Sequence, residues 1–364
     1  MLAANRTYYV STGGSNSNNG LTSGTPFLTL QYAYDRACAD LDFAGFTVTI
    51  LGVAGSNAFT AGIAFDKTWT GGGTIVVDGG AGATMIMSGS AFVNSVVLPG
   101  LVTFNNFTFS SAGNLNCINN SGTGTMIAGT GLVFGNVGSG GQHFCTNAVT
   151  SVINAPNDYT ISGDFGMHAY AATGLVNLVG VGKTTTISAN VTMGYAFTYA
   201  SGGVIYSFAR AYSTGAFTAT GQRYIATDGG RIITGGTLAL FPGTTTGSLL
   251  NGGSYNGYSA LNQRTVSAAL TVAFTDTLLI HPSADTTART WTIDSNANVP
   301  LVVGTMLTFI NQNGAGVLTI AITSDTMRLA GAGTTGSRTL AANGVATAVK
   351  ITATEWQISG TGLT

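Results

Sequence analysis

Residues 101–109 read LVTFNNFTF, a short run in which Val, Thr and Phe surround an Asn pair. β-Branched and aromatic residues suit a pleated backbone, and Asn suits the corners between such segments. The same texture returns down the chain: GLVFGNV at 131–137, TISGDF at 160–165, TISANV at 186–191 and AFTAT at 216–220. Phe104, Leu132, Ile161, Ile187 and Phe217 align in these segments and recur at a nearly constant step. Self-similarity at a period of about 20 to 50 residues marks a solenoid or a blade array. Several short strands per period, with abundant turn residues, fit one coil of a parallel β-helix. One coil cannot bury its inner face, whereas coils stacked about 4.8 Å apart can.

Outward from this stretch, FTVTIL (46–51), TIVVD (74–78), TMIM (84–87) and TTTISANVTM (184–193) read as further strands, punctuated by Gly, Asn and Ser. One helix signal stands near the start, where Leu30, Ala33, Ala37 and Leu41 recur at helical spacing after Pro26. The pattern predicts a short amphipathic helix over about 27–40, with the proline at its first position. Beyond residue 265, TVSAALTVAF, RTWTID, GTMLTFI, GVLTIAIT, TAVKITAT and EWQISG alternate more cleanly. With QNGAG and AANGV as hairpin turns, they predict an antiparallel sandwich.

Composition excludes several classes. Of 364 residues, 53 are Gly and 7% are charged, against roughly 25% charged in ordinary domains. Disorder needs the reverse balance of charge and apolar content. Twelve basic residues face thirteen acidic ones, which gives no footprint for nucleic acid. No apolar run reaches the roughly 18 residues of a membrane span, and MLAANRTYYV has no signal-peptide core. Three Cys form no disulfide framework, so synthesis in a reducing cytoplasm is expected.

TYYVSTGGSNSNNGLTSGTPFLTLQYAYDRA (7–37) resembles the opening of phage and bacterial proteins with the pectate-lyase-like right-handed β-helix, in which a strand, a Gly/Asn turn and a capping helix close one end. GQRYIATDGGRIITGGTLALFPGTTTGSLLNGGSY (221–255) resembles the end of the shaft in phage tail fibres and spikes, and 307–364 resembles C-terminal modules of phage and prophage virion proteins. The resemblance implies a strand and capping helix over 1–45, a right-handed parallel β-helix shaft over 46–243, a linker over 244–264 and the β-sandwich over 265–364. It carries no catalytic motif. The active site of pectate lyases does not transfer, because Asp66 beside Lys67 is the only acid–lysine neighbour pair in the shaft.

Between 195 and 224 lie Tyr195, Phe197, Tyr199, Tyr206, Phe208, Tyr212, Phe217 and Tyr224. Alternation places Tyr206, Phe208, Arg210 and Tyr212 on one strand face, and an Arg among aromatics argues that this face looks outward. Exposed rings with a donor suit sugars, so these four residues with Tyr195, Tyr199 and Trp356 are the candidate glycan contacts. An interior stack and a subunit interface are the competing readings of the same run. A glycoside hydrolase would need two carboxylates about 5 to 9.5 Å apart; the shaft offers Asp158, Asp164 and Asp228. His143, Cys145 and His168 lack the four-ligand pattern of zinc, and Cys117 and Cys145, spaced by about one period, are expected to stack in adjacent coils. The Asn105-Asn106 and Asn119-Asn120 pairs are expected to form amide ladders. No cofactor or metal is expected.

The expected function is a homotrimeric phage fibre or spike on the virion surface, of tail or head. It would contact other virion structural proteins and bind host surface polysaccharide for adsorption, with no nucleic-acid partner and no membrane insertion. A polysaccharide depolymerase and a ligand-free decoration or adaptor of the virion are the alternatives.

Overall fold

The inner rows of strands decide the architecture. In a computed structural model of the chain, Val48, Ile75, Val102, Met126, Ile153, Val176, Ile205, Ile232 and Tyr255 are successive parallel register partners. All are fully buried. The structure describes residues 1–364 apart from 56, 81–84, 88–91, 95, 112, 236–239, 257, 260–262 and 274–275. Two units separate, Met1–Ser259 and Ala260–Thr364.

The first unit is a parallel β-helix whose described residues form three sheets of eleven, seven and eight strands. The chain visits them in that order on each coil, so the cross-section has three sides and three corners. The seven-stranded sheet carries the inner row Met87, Phe109, Phe134, Ile161 and Ile187. Phe109 and Phe134 stack at 5.4 Å, which adds to burial worth roughly 1.5–3 kcal/mol per large apolar side chain. Ile161 and Ile187 are partners as aligned from sequence. Leu132 instead pairs with Tyr159, Phe104 belongs to the eleven-stranded sheet, and Phe217 follows the strand Arg210–Ser213. The reason is that coil length varies: in the eleven-stranded row the step from Val176 to Ile205 is longer than the step from Ile153 to Val176. Cys145 accordingly faces Asn119, and Cys117 is two positions out of step with it.

The helix runs Leu30–Asp40 and starts later than the periodicity predicts. Thr29 caps it by accepting from Tyr32 N, while Phe27 bridges to Val10 and extends the first sheet. Leu30, Ala33, Tyr34 and Ala37 face the end of the core. The stretch 244–264 is not wholly a linker. Ser248–Leu249 and Ser254–Tyr255 add a further coil, because buried Tyr255 continues the inner row. Gly253 permits that return: a Cβ there would lie 2.1 Å from Ala226 O.

The second unit is all β, with mixed rather than purely antiparallel pairing. Gln263–Thr265, Leu278–His281 and Met306–Asn311 pair in parallel, as do Leu270–Thr271, Arg289–Ile293 and Leu318–Ile322. The long strand Arg338–Thr352 then pairs antiparallel with Met306–Asn311, with Leu318–Ile322 and with Glu355–Leu363. QNGAG therefore joins two parallel runs rather than a hairpin, and AANGV lies inside the long strand. Alternation alone cannot distinguish these cases, because a parallel partner such as Phe309 for Leu279 lies beyond an intervening strand of the sequence. Trp291, Phe309 and Trp356 fill this unit's core.

Candidate functional site: the aromatic coils of the shaft

The segment 195–224 does not form one aromatic face. Val204–Ser207 and Arg210–Ser213 are separate strands of different sheets, joined at a corner where Ala209 takes φ 55°. That corner breaks the alternation. Tyr206 and Phe208 remain outside, with ring centroids 6.0 Å apart and planes 29° from parallel, and Phe208 is 37% exposed. A hollow of about 450 Å³ opens beside Phe208, walled by Gly235 and Leu240.

Arg210 turns inward and is 3% exposed. It donates from Nε to Leu178 O at 2.7 Å, from Nη2 to Ala155 O and to Asn157 O at 3.0 Å, and from Nη1 to Thr185 Oγ1 at 3.3 Å. The guanidinium carbon lies 4.8 Å from the Tyr159 ring centroid. A buried charge is tolerated here because several acceptors on two earlier coils hold it. Tyr212 is half-buried and packs against the core. Its hydroxyl meets Ser207 Oγ at 2.7 Å, and burial pushes its phenol well above the usual tyrosine range.

A second outward pair lies on the eight-stranded sheet. Tyr170 and Tyr199 are register partners with ring centroids 5.5 Å apart. Tyr195 stands on the same strand as Tyr199, where a register shift lets it project, 54% exposed. Tyr170 escapes a reading confined to 195–224. Its signal is the Tyr-Ala dipeptide at 170–171 and 199–200, one coil apart. Trp356 leaves the candidate set: it is fully buried in the second unit with Lys350 Nζ 5.3 Å from its ring centroid.

The three carboxylates sit at three different corners. Asp158 precedes the strand Tyr159–Ile161, Asp164 follows it, and Asp228 lies between Ala219–Thr227 and Arg231–Thr234. Each ties its own coil to the next. Asp158 accepts from Thr184 N at 2.7 Å, Asp164 from Thr192 N at 2.6 Å and Asp228 from Asn251 Nδ2 at 3.2 Å. The Thr184 bond first, and then Lys183 nearby, hold the Asp158 carboxyl below its usual range. The structure thus does not bring the three together as an acid pair. Asp164→Ala is expected to lower shaft stability by about 1 kcal/mol, read from the urea midpoint; an effect above about 3 kcal/mol would mean more than one corner bond is lost.

Amides play the same role. Asn147 donates to Asn119 Oδ1 and Asn177 to Asn154 Oδ1, both at 3.1 Å, so amide rungs form at two corners. Asn106 instead bonds Asp78 at 2.7 Å. His143 and His168 meet inside the shaft, Nδ1 to Nδ1 at 2.9 Å, and the Tyr159 hydroxyl lies 2.8 Å from His168 Nε2. Cys145 contacts Asn147 at 3.2 Å. No group of three or more potential metal ligands occurs among the described residues. No family model, curated protein or solved structure matches the chain.

Proposed function

We propose that this chain is a phage virion fibre or spike protein. It assembles as a homotrimer at the virion surface, docks on other virion structural proteins and holds host cell-surface polysaccharide for adsorption. The observation that carries the reading is the outward pairing of Tyr206 with Phe208 on a stiff parallel β-helix. Two such rings are poorly hydrated, whereas the C–H face of a sugar packs on them, with its hydroxyls reaching the amides nearby. Asn177 is the register partner of Tyr206 on the preceding coil. Tyr170, Tyr199 and Tyr195 supply a second patch, and weak contacts repeated over three shafts multiply through avidity.

Host polysaccharide fragments titrated into the purified protein test this. Each ring is expected to contribute on the order of 1 kcal/mol, so Y206S/F208S should weaken binding about tenfold or more. Unchanged binding in that variant would sink the site assignment. Reducing ends or unsaturated sugars released during incubation would favour the depolymerase alternative. Sedimentation at the mass of one 36.8 kDa chain would remove the trimer.

A further inference from the structure

A second polar hollow lies on the first coil, away from the shaft aromatics. It is a cleft of about 510 Å³, within the roughly 300–1,000 Å³ range of small-ligand sites. Its walls come from the strand Arg6–Val10, the Asn-rich loop after it and the helix Leu30–Asp40. The aromatic side is Tyr8 and Tyr32, both packed on Phe27 at 5.4 and 5.0 Å. The charged side is Arg6 and Arg36, and among the described residues no acidic side chain lines the cleft. Arg36 is held by Asp40 one helical turn on, while Arg6 has no ion-pair partner among the described residues. Arg6 and Arg36 line the same opening as Tyr8; burial raises the Tyr8 phenol, and Asp40, the partner of Arg36, acts on it as well as the two guanidinium groups.

The loop is fixed in place by its own amides. Asn16 Oδ1 accepts from Leu28 N at 3.0 Å, and Asn19 Oδ1 accepts from Leu21 N at 3.0 Å and Thr25 Oγ1 at 2.8 Å. With those oxygens engaged, the Asn16 and Asn19 amide groups are left with N–H donors to offer. The cleft therefore offers donors and positive charge beside aromatic rings, on a backbone already ordered before any ligand arrives.

We infer that this cleft binds an acidic sugar residue, its carboxylate on Arg6 and its ring against the half-buried Tyr32, with the nearly buried Tyr8 behind it. A guanidinium takes a carboxylate through two parallel hydrogen bonds, which a lysine cannot reproduce. The amides of Asn16 and Asn19 suit ring hydroxyl oxygens. A neutral sugar leaves Arg6 unanswered, and a bare inorganic anion leaves the rings unused.

The test is calorimetric titration of the full chain with a glucuronate-containing disaccharide and with its glucose counterpart. The acidic disaccharide should bind, and the neutral one should bind at least about tenfold more weakly. Arg6→Gln should remove the preference, Arg6→Lys should restore only part of it, and a melting curve like that of the unaltered protein establishes that each variant is folded. Tyr32→Leu should weaken both sugars. Repeating the titrations in Y206S/F208S removes the shaft rings from the measurement, and the preference for the acidic sugar should persist there, which separates the cleft from the shaft site. Equal affinity for the two sugars, absence of binding by the acidic one, or an unaltered preference in Arg6→Gln would overturn the inference.

Discussion

Arg210→Ala is expected to destabilise the shaft by about 3–5 kcal/mol, since each buried acceptor left unpaired costs roughly 1–3 kcal/mol. For a unit of this size that corresponds to a fall of roughly 10 °C in melting temperature. Arg210 joins three successive coils, because its acceptors Ala155, Asn157, Leu178 and Thr185 belong to the two coils before its own. Removing it leaves three carbonyl oxygens facing a low-dielectric interior and uncovers the Tyr159 ring. Arg210→Lys should recover only part of the loss, since one ammonium cannot reproduce the planar fork. Phe208→Ala, two residues away but exposed, should cost less than about 1 kcal/mol. Thermal melts of the three variants decide the matter: an Arg210→Ala protein within about 1 kcal/mol of the parent would show that its bonds are not a brace.

The coil was legible in the sequence because its cause is periodic. Every inner row needs an apolar residue once per coil, so Ile161 and Ile187 fall one coil apart and are in register. The helix was legible for a similar reason, since Leu30, Ala33 and Ala37 meet the core at helical spacing. What failed was alternation carried across a corner. From Tyr206 to Tyr212 a strict period of two puts Arg210 outside, yet the turn at Ala209 sends it inward. The error has a physical root: alternation describes an unbroken strand, and a single residue in the left-handed region resets which face is which. The same limit hid the mixed pairing of the second unit, where, apart from Arg338–Thr352 and Glu355–Leu363, strands adjacent in sequence are not neighbours in the sheet.

The candidate site was legible by composition and not by geometry. Tyr206, Phe208, Tyr195 and Tyr199 stay on the outside, whereas Arg210, Tyr212 and Trp356 serve the interiors of their units. Asp158, Asp164 and Asp228 illustrate why an inventory of acids says little in a coil. Their positions at corners are set by the need for acceptors that reach the next coil's N–H groups, and that need is met by Asn190 to Thr218 N and Asn114 to Gly140 N as well. Asp and Asn both fill that role, and the carboxyl charge adds only a local ion pair, as between Asp158 and Lys183.

Acid should weaken the shaft through its two interior histidines. His143 and His168 are fully buried, and burial holds both rings neutral: His143 is pushed down to about 3, and His168 well below its ordinary range, where the nearby Arg210 charge adds to the effect. The geometry enforces the same state. With Nδ1 facing Nδ1 at 2.9 Å, one ring must donate and the other accept, so protonating both would set two N–H groups against each other. His143 Nε2 has no partner among the described residues, and Phe134 and Phe165 crowd the ring, so a charge there meets no acceptor. The unfolded chain takes up these two protons as the pH falls below about 6.5. The folded chain does not take them up until far lower pH, so stability is full above about 6.5 and falls as pH drops from there towards about 3. Each histidine contributes up to about 1.4 kcal/mol per pH unit across this window. Urea midpoints at successive pH values should therefore fall steeply for the parent protein and more gently for H143L/H168L, whose neutral-pH stability serves as its own reference. His281 is retained in both proteins, so its contribution cancels in the comparison. Parallel acid limbs in the two proteins would show that the interior pair is charged in the folded state, and with it would go the reading of the shaft interior as closed to protons.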